Sequence, residues 1–555
     1  MGLEAGSHQV KRELYLRLTL TVRAPGPKGP GAHHLISKIG RLPSLMASFV
    51  TRRLIAAFFV LLAATFLMYM LTALSGDPLE DLKTGNAPNK IQLIEARTQL
   101  LNLDVPPFFR YFLWLGGVSK CFVGACDFGV NIQGLPVAIL LSQAMGSTLQ
   151  LVTSAQVIAI IVGLAVGITT ALRQYSGYDY SVTFAAFLFF SLPIFWVAVL
   201  LKQYIAIGFN DWLANPSIGI PVLIGIAVVS GLLWMSILGG NNRKRLITLG
   251  IATLSTAALL IYFNLVDWFS TPSIGIVGVV LTAVGAAFGV SAISVGLKNK
   301  SALRGALVTA AVGIALYYPM TYYVFRFVEL PLYLGLAALA VVVGGTIGYF
   351  LGGRDRWQSA RTSALVAVIV GLVISLDGYL LYWNDYFNSS RVGGRPVATI
   401  GSSTPNLGGN FWIQGIDTFT HLLLPTIAIV LISFASLTRY TRASMLEVMN
   451  QDYIRTAYSK GLTQRTVVVR HALRNAMIPI ATILALEIGA LIGGAVITET
   501  VFGWSGMGRL FLNGVNATDP NPVMAFFVVT GLLAVVFNLI ADLLYASLDP
   551  RIRVS

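Results

Sequence analysis

The sequence predicts an all-α polytopic membrane protein: a six-helix core with about six additional transmembrane helices inserted between core helices 3 and 4. Three observations predict it. Of 555 residues, 56% are hydrophobic and only 11% are charged, more apolar surface than a soluble domain of this length can bury. The apolar residues fall into twelve blocks of roughly 20, the length that a helix rising ~1.5 Å per residue needs to cross ~30 Å of hydrocarbon. The Lys and Arg residues behind the net charge of +15 sit mainly in short loops between those blocks, where the positive-inside rule expects them, so nucleic acid is not an expected partner.

In chain order, residues 1–47 form a basic extension with Pro25, Pro27 and Pro30 among glycines and no apolar run long enough for a cleavable signal. Disorder is expected there, and Met46, just ahead of Arg52-Arg53-Leu54, is a candidate translation start. Residues 48–210 hold core helices 1–3, crossing at Leu54 to Leu74, Thr148 to Leu172 and Ser181 to Ile207. The inserted region, 211–399, adds Ile218 to Leu238, Leu246 to Val266, Ile274 to Gly296, Leu303 to Phe325, Leu332 to Leu351 and Thr362 to Trp383. Residues 400–555 hold core helices 4–6, at Leu422 to Tyr440, Ile480 to Val501 and Val523 to Leu544.

Orientation follows from the loops. Arg243-Lys244-Arg245, then Lys298, Lys300 and Arg304, then Arg354, Arg356 and Arg361 occupy every second loop of the insertion, which assigns those loops to the cytoplasm. The same alternation puts Arg439 to Arg474 and the tail Arg551 to Arg553 inside, so both termini are expected to be cytoplasmic. An even number of inserted helices leaves the polarity of the flanking spans unchanged. Segment 75–147 is then external, with Asp77-Pro78 as a turn and Phe108, Phe109, Tyr111, Phe112 and Trp114 as an interfacial belt. It would cap the bundle and offer a docking surface to a soluble partner. Cys121 and Cys126 lie in it, either as a disulfide clip or as two thiols.

The loop 445–478 carries the most information. Gly461 after Lys460 reads as a helix stop, Thr463 as a cap for the next helix, and Pro479 as a first-turn residue of the following span. A short exposed helix is expected from about Gln464 to Arg474, presenting Val467, Val468 and Leu473 among Arg465, Arg470 and Arg474 to another protein. An amphipathic helix lying on the membrane surface is the plainer reading of the same composition.

Here the sequence resembles the permeases of ABC importers in the dipeptide/oligopeptide/nickel group. Thr456-Ala457, then Gly461 and Ile478-Pro479, look like their "EAA" signature, with Arg455 where its Glu usually stands. Arg439-Tyr-Thr-Arg-Ala-Ser-Met-Leu446, Arg470-His-Ala-Leu-Arg-Asn-Ala476, Gly493-Gly-Ala-Val-Ile-Thr-Glu-Thr-Val-Phe502 and Asp549-Pro-Arg-Ile-Arg553 are similar too. So are Arg52-Arg53-Leu54, Gly76-Asp77-Pro78 and Ser191-Leu-Pro-Ile-Phe-Trp196, whereas Ser505 departs from the usual Pro. The insertion matches no recognised pattern.

The resemblance implies a half-channel for peptides or related small solutes in a prokaryotic plasma (inner) membrane. It would pair with a second homologous permease, stand on two ABC ATPase subunits that bind ATP and Mg, and receive cargo from an external substrate-binding protein. Arg455, Thr456, Ala457, Gly461, Thr463, Arg465, Arg470 and Arg474 would couple it to the ATPase, with small Ala457 and Gly461 allowing close approach. Movement would be rigid-body alternating access.

The residues themselves add limits. Nothing fits Gly-x4-Gly-Lys-Ser/Thr, so this chain is not expected to hydrolyse ATP or to carry a cofactor of its own. His8, His33 and His34 lie in the extension, and His421 and His471 fall on opposite sides, so no metal site is expected. In core helix 5, Gly489 and Gly493 stand four apart and invite close helix packing. Glu487 is costly at membrane depth unless it lines the passage or bonds to a neighbouring helix, and both readings stand. Glu499 opens a glycine-rich turn to Gly508, read as irregular backbone that caps the bundle or, by the resemblance, gates it. Asp377 is the chief ionisable residue at depth in the insertion, which argues against an ion pathway there and for a peripheral bundle packing on lipid and core. A self-contained ion-coupled secondary transporter would show two related halves and more buried acids, and a membrane enzyme would show His, Asp or Glu clustered at one depth.

Overall fold

The computed structural model describes residues 42–86 and 88–548; for residues 42–49, 354, 491–494 and 545–548 it describes the helical course alone. Most of the extension 1–47, and the tail motif 549–553, lie outside the described residues. By internal contacts the chain divides into a unit up to Leu67 and a unit from Met68 onward. Among the described residues, twelve helices are long and apolar enough to cross a membrane.

In order these are α1 (Leu42–Leu74), the short α2 (Glu80–Thr84), α3 (Lys90–Leu100) and α4 (Pro107–Ser119), then α5 (Val137–Leu172), α6 (Gly177–Ser191) and α7 (Ile194–Leu213). The inserted region gives α8 (Ile220–Leu238), α9 (Asn242–Leu265), α10 (Gly275–Ser294), α11 (Lys300–Phe327), α12 (Leu330–Leu351) and α13 (Arg356–Phe387). Then come α14 (Phe411–Met449), α15 (Asp452–Ser459), α16 (Gln464–Thr466, a wide turn Val467–Ala472, and Leu473–Gly494), α17 (Val496–Val501), α18 (Met507–Asn516) and α19 (Pro520–Leu548).

The span expected from Ser181 is two helices. Pro193 forbids helical backbone at Leu192, which takes ψ 127° and separates α6 from α7. The axis of the core is the pair α5 and α14. Along α5 a residue every four positions (Leu151, Ala155, Ala159, Gly163, Gly167, Ala171) is buried, forming one i±4 ridge. A Cβ on Gly163 would stand 2.8 Å from Leu437 Cβ, and one on Gly167 2.6 Å from Thr441 Cβ, so the two backbones approach as far as glycine permits. This Gly-x3-Gly has the same spacing as Gly489 and Gly493.

The insertion is not one six-helix unit. α8 and α9 form a hairpin, with the Arg173 guanidinium donating to the Ser236 and Ile237 carbonyls at the end of α8. α10 to α13 form a four-helix bundle around Val279, Ala283, Ala287, Ala306, Ala310, Val366 and Val370. Trp412 of α14 plugs one end of that bundle, its Nε1 donating to the Phe325 carbonyl at 2.7 Å. Asp377 accepts from the Ile274 and Gly275 amides (2.6 and 3.2 Å) and from the Tyr317 hydroxyl (2.5 Å). It therefore satisfies amides at the start of α10 from across the bundle, a structural task for the one deep acid of the insertion.

The aromatic belt expected on α4 divides by face. Tyr111 and Trp114 are buried against Tyr69, with ring centroids 5.6 and 6.4 Å away, while Phe108, Phe109 and Phe112 are exposed. Tyr111 and Trp114 follow the inward stripe of an amphipathic helix, so only the other three are placed for an interface.

Candidate coupling and gating sites

Residues 452–475 form a helical hairpin. α15 ends at Ser459 with Lys460 as its cap residue, Gly461 takes φ +76°, and the Thr463 side chain accepts from the Thr466 amide. Both turn residues therefore act as the sequence expects. The second arm differs from expectation. α16 does not stop near Arg474 but runs on to Gly494, and Pro479 lies inside it rather than in a first turn.

The faces differ as well. Ile454 and Ala457 of α15, Val467, Val468 and Ala472 of α16, Met445 of α14 and Ala171 of α5 make one buried cluster. Val467 and Val468 are thus spent within the chain, and Leu473 is partly buried against the same cluster, so none of the three is offered outward. Ala457 is small because it faces this cluster. What remains exposed includes Asp452, Tyr453, Arg455, Thr456, Tyr458, Lys460, Gly461, Leu462, Thr463, Arg465, Val469, Arg470 and Arg474. Arg465 also donates to the Ile293 carbonyl at 3.0 Å, tying the hairpin to the end of inserted helix α10.

Two ties fix the hairpin's base. The Ser444 hydroxyl donates to the Ala476 carbonyl at 2.9 Å. Arg442 grips Asp179 with two parallel bonds, Nε to Oδ1 at 2.7 Å and Nη2 to Oδ2 at 2.8 Å, joining α6 to α14. The guanidinium holds the Asp179 carboxyl below its usual range. Arg439, one turn earlier, lies 3.8 Å from the Phe190 ring centroid. The sequence shows Arg442 only as part of a motif, because its partner stands 263 positions away.

Near the other end of the core, Glu499 is fully buried. It belongs to helix α17, and Gly508 to α18, so the irregular part of the expected turn is only Phe502 to Gly506. Glu499 Oε1 accepts from the Thr148 hydroxyl at 2.6 Å, and Oε2 from the Gly508 and Arg509 amides at 2.7 and 3.2 Å. The carboxylate thus sits at the N-terminus of α18, where amides and helix dipole favour an anion. Thr148 accepts in turn from the Met507 amide at 2.8 Å, and buried Trp504 donates to the Ser147 carbonyl at 3.0 Å. A Cβ on Gly506 would collide with the carboxyl of Glu499.

Gly489 is buried, and a Cβ there would stand 2.9 Å from Phe537 Cβ on α19. The surroundings of Gly493 lie outside the described residues. Glu487 is part-exposed, and its buried Oε2 has no hydrogen-bond partner among the described residues. Among the described residues no three His, Cys, Asp or Glu side chains converge as a metal site would require.

Segment 75–147 is pinned to the start of α19. Asp519 Oδ2 accepts from the Ile132 amide at 2.7 Å, and Asn521 Nδ2 donates to the Val130 carbonyl at 2.7 Å. Cys121 and Cys126 are joined by a disulfide in the turn after α4. Burial pushes the Asp519 carboxyl up to about 6, against the lowering by the Ile132 and Asn521 amides and Arg97. A raised carboxyl favours the docked state most when protonated, so this contribution is complete below pH ~4 and is lost as pH rises through ~6, on the order of 2–3 kcal/mol. The Ile132 amide, corrected for intrinsic exchange, should therefore be better protected near pH ~5 than near pH ~7. Asp519→Asn should flatten that difference, and a wild-type chain with no pH dependence would refute the assignment.

The fold and these sites define a multi-pass membrane permease: paired core helices, a surface hairpin docked on their ends and a pinned loop at the opposite side. Residues 344–554 match the family model described as binding-protein-dependent transport system inner membrane component, a match that begins inside the inserted region. The chain is 27% identical over 510 residues, 92% of its length and 100% of the relative's, to the oligopeptide transport system permease protein OppB of Mycobacterium tuberculosis. It is 38% identical over 212 residues to the oligopeptide transport system permease protein AppB of Bacillus subtilis, covering 34% of this chain and 67% of AppB. With the dipeptide transport system permease protein DppB of Escherichia coli it shares 44% identity over 145 residues, 26% of this chain and 42% of that one. The chain belongs to the binding-protein-dependent transport inner membrane component family and is a permease subunit of an ABC importer.

Proposed function

We propose that the chain imports peptides or related small solutes as one of two permeases standing on two ATPase subunits that bind ATP and Mg, with cargo delivered by an external binding protein. The observation that carries the coupling role is the 452–475 hairpin. Ile454, Ala457, Val467, Val468 and Ala472 dock it on α5, α14 and the base of α16, while a face that carries basic residues together with Tyr453, Tyr458, Leu462 and Val469 stays exposed. A lever needs both properties, rigid attachment to the core and a free face for a partner. The peptide cargo is supported by the names of the relatives. The alternating basic loops support cytoplasmic termini in a plasma membrane. Glu487, an acid in a span with part of its side chain exposed, fits a place along the passage.

The test is co-purification from native membranes together with ATP-dependent dipeptide uptake in vesicles. Arg455→Glu with Lys460→Glu changes two exposed side chains and leaves the buried cluster intact. ATPase recovery with the chain should fall about tenfold, equivalent to ~1.4 kcal/mol of lost association. A chain that comes out alone and moves dipeptide without ATP would overturn the proposal.

A further inference from the structure

The inserted bundle contains a slot whose geometry suits a lipid tail. α11 and α12 both pack on α13. They meet at the side of the basic loops, where a Cβ on Gly305 would stand 3.3 Å from Gly348 Cα. From that crossing they diverge, leaving a cavity of about 410 Å³ floored by α13. Ala340 and Gly371 line it, and their small size leaves the void open, whereas Gly313 and Gly344 serve the close packing of α11 and α12 on α13.

Chemistry and dimensions together narrow the occupant. The hydroxyls of Thr309 and Ser375 on its wall are committed to backbone carbonyls of their own helices, at 2.9 and 2.8 Å. A polar solute would therefore find little to bind, and an apolar cavity holds no water. From Tyr333 to Ile347 the slot runs fourteen residues of α12, roughly 21 Å at ~1.5 Å per residue. A helix ~10 Å across running the same length would fill roughly 1,600 Å³, well above the slot's volume. A partner helix does not fit, whereas one extended hydrocarbon chain does. The depth agrees: Tyr322, Tyr323 and Phe327 are exposed at the wide end, marking the interface level, with Arg326 beside them.

We propose that this slot holds one acyl chain of a phospholipid from the leaflet opposite the basic loops, its phosphate within reach of Arg326. The chain fills the space that α11 and α12 leave open and keeps their splay, so the lipid is part of the bundle's packing. The proposal does not depend on what the permease carries.

The experiment uses the assembled transporter in vesicles of phosphatidylethanolamine and phosphatidylglycerol, with a little phosphatidylglycerol carrying a photoactivatable group in mid-chain. Labelled peptides are mapped by mass spectrometry. Labelling at 309–320 and 367–375 should exceed that on α9, which has no buried residue, by about tenfold, the ratio for a preference of ~1.4 kcal/mol. A Cβ on Gly371 meets nothing within 4 Å, so Gly371→Leu should fill the slot without clash and bring its labelling down to the α9 level. Ala340→Phe fills it from α12 and gives the same reading should Gly371→Leu not fold. Equal labelling of slot and α9, insensitivity to both substitutions, or cross-links from the slot to another protein would each overturn the proposal.

Discussion

Replacing Glu499 by alanine should lower the stability of the permease by about 3–5 kcal/mol and abolish uptake, because it strands two buried donors and a third, part-buried one at once. The Thr148 hydroxyl and the Gly508 and Arg509 amides all end on this one carboxylate. Water cannot replace it at a site with no exposure. Glu499→Gln keeps the shape but points an amide donor towards other donors, so its cost should be smaller, about 1–2 kcal/mol. Gly506→Ala should resemble Glu499→Ala, since the added methyl meets the same carboxyl. The measurement is the midpoint of thermal unfolding in detergent, followed by elution of the intact assembly. An unchanged midpoint for Glu499→Ala would show that the node bears no load.

Ile454→Asp should separate ATP hydrolysis from uptake. Ile454 is 1% exposed in the cluster that docks α15 on α5, α14 and α16. A carboxylate there must either leave the cluster or remain buried at a cost of several kcal/mol, and leaving is the cheaper course. The first arm of the hairpin, α15, would then lose its main anchor to the core while the second arm stays docked through Val467, Val468 and Ala472. Its exposed face is unaltered, so ATPase subunits should still associate and turn over at their basal rate while uptake falls at least tenfold, or ~1.4 kcal/mol of lost coupling. Ile454→Ala should show the same split to a smaller degree. Full uptake with Ile454→Asp would mean that the lever lies elsewhere.

The legible parts of the fold were those with local causes. Gly461 and Thr463 punctuate the hairpin where the sequence places them, because a left-handed stop and a side-chain cap depend on residues three or four apart. The break at Pro193 is equally local and was readable from Ser191-Leu-Pro, yet the length of the apolar run concealed it. Pro479 misled for the opposite reason. It suits a first turn, but the helix runs through it, held on one side by the docked cluster and the bond from Ser444 to the Ala476 carbonyl.

By itself the sequence determined the membrane class, the number of spans, the alternation of basic loops and the family, since length, hydropathy and short motifs are written along the chain. Only the tertiary structure decided which faces meet. It turned Val467, Val468 and Ala457 inward, paired Asp179 with Arg442 and Thr148 with Glu499 across hundreds of residues, and split the insertion into a hairpin and a bundle. The physical reason is that a span bathed in lipid is apolar on every side. Hydropathy then carries no signal for its neighbours, and partner choice falls to small-residue ridges and a few buried polar pairs.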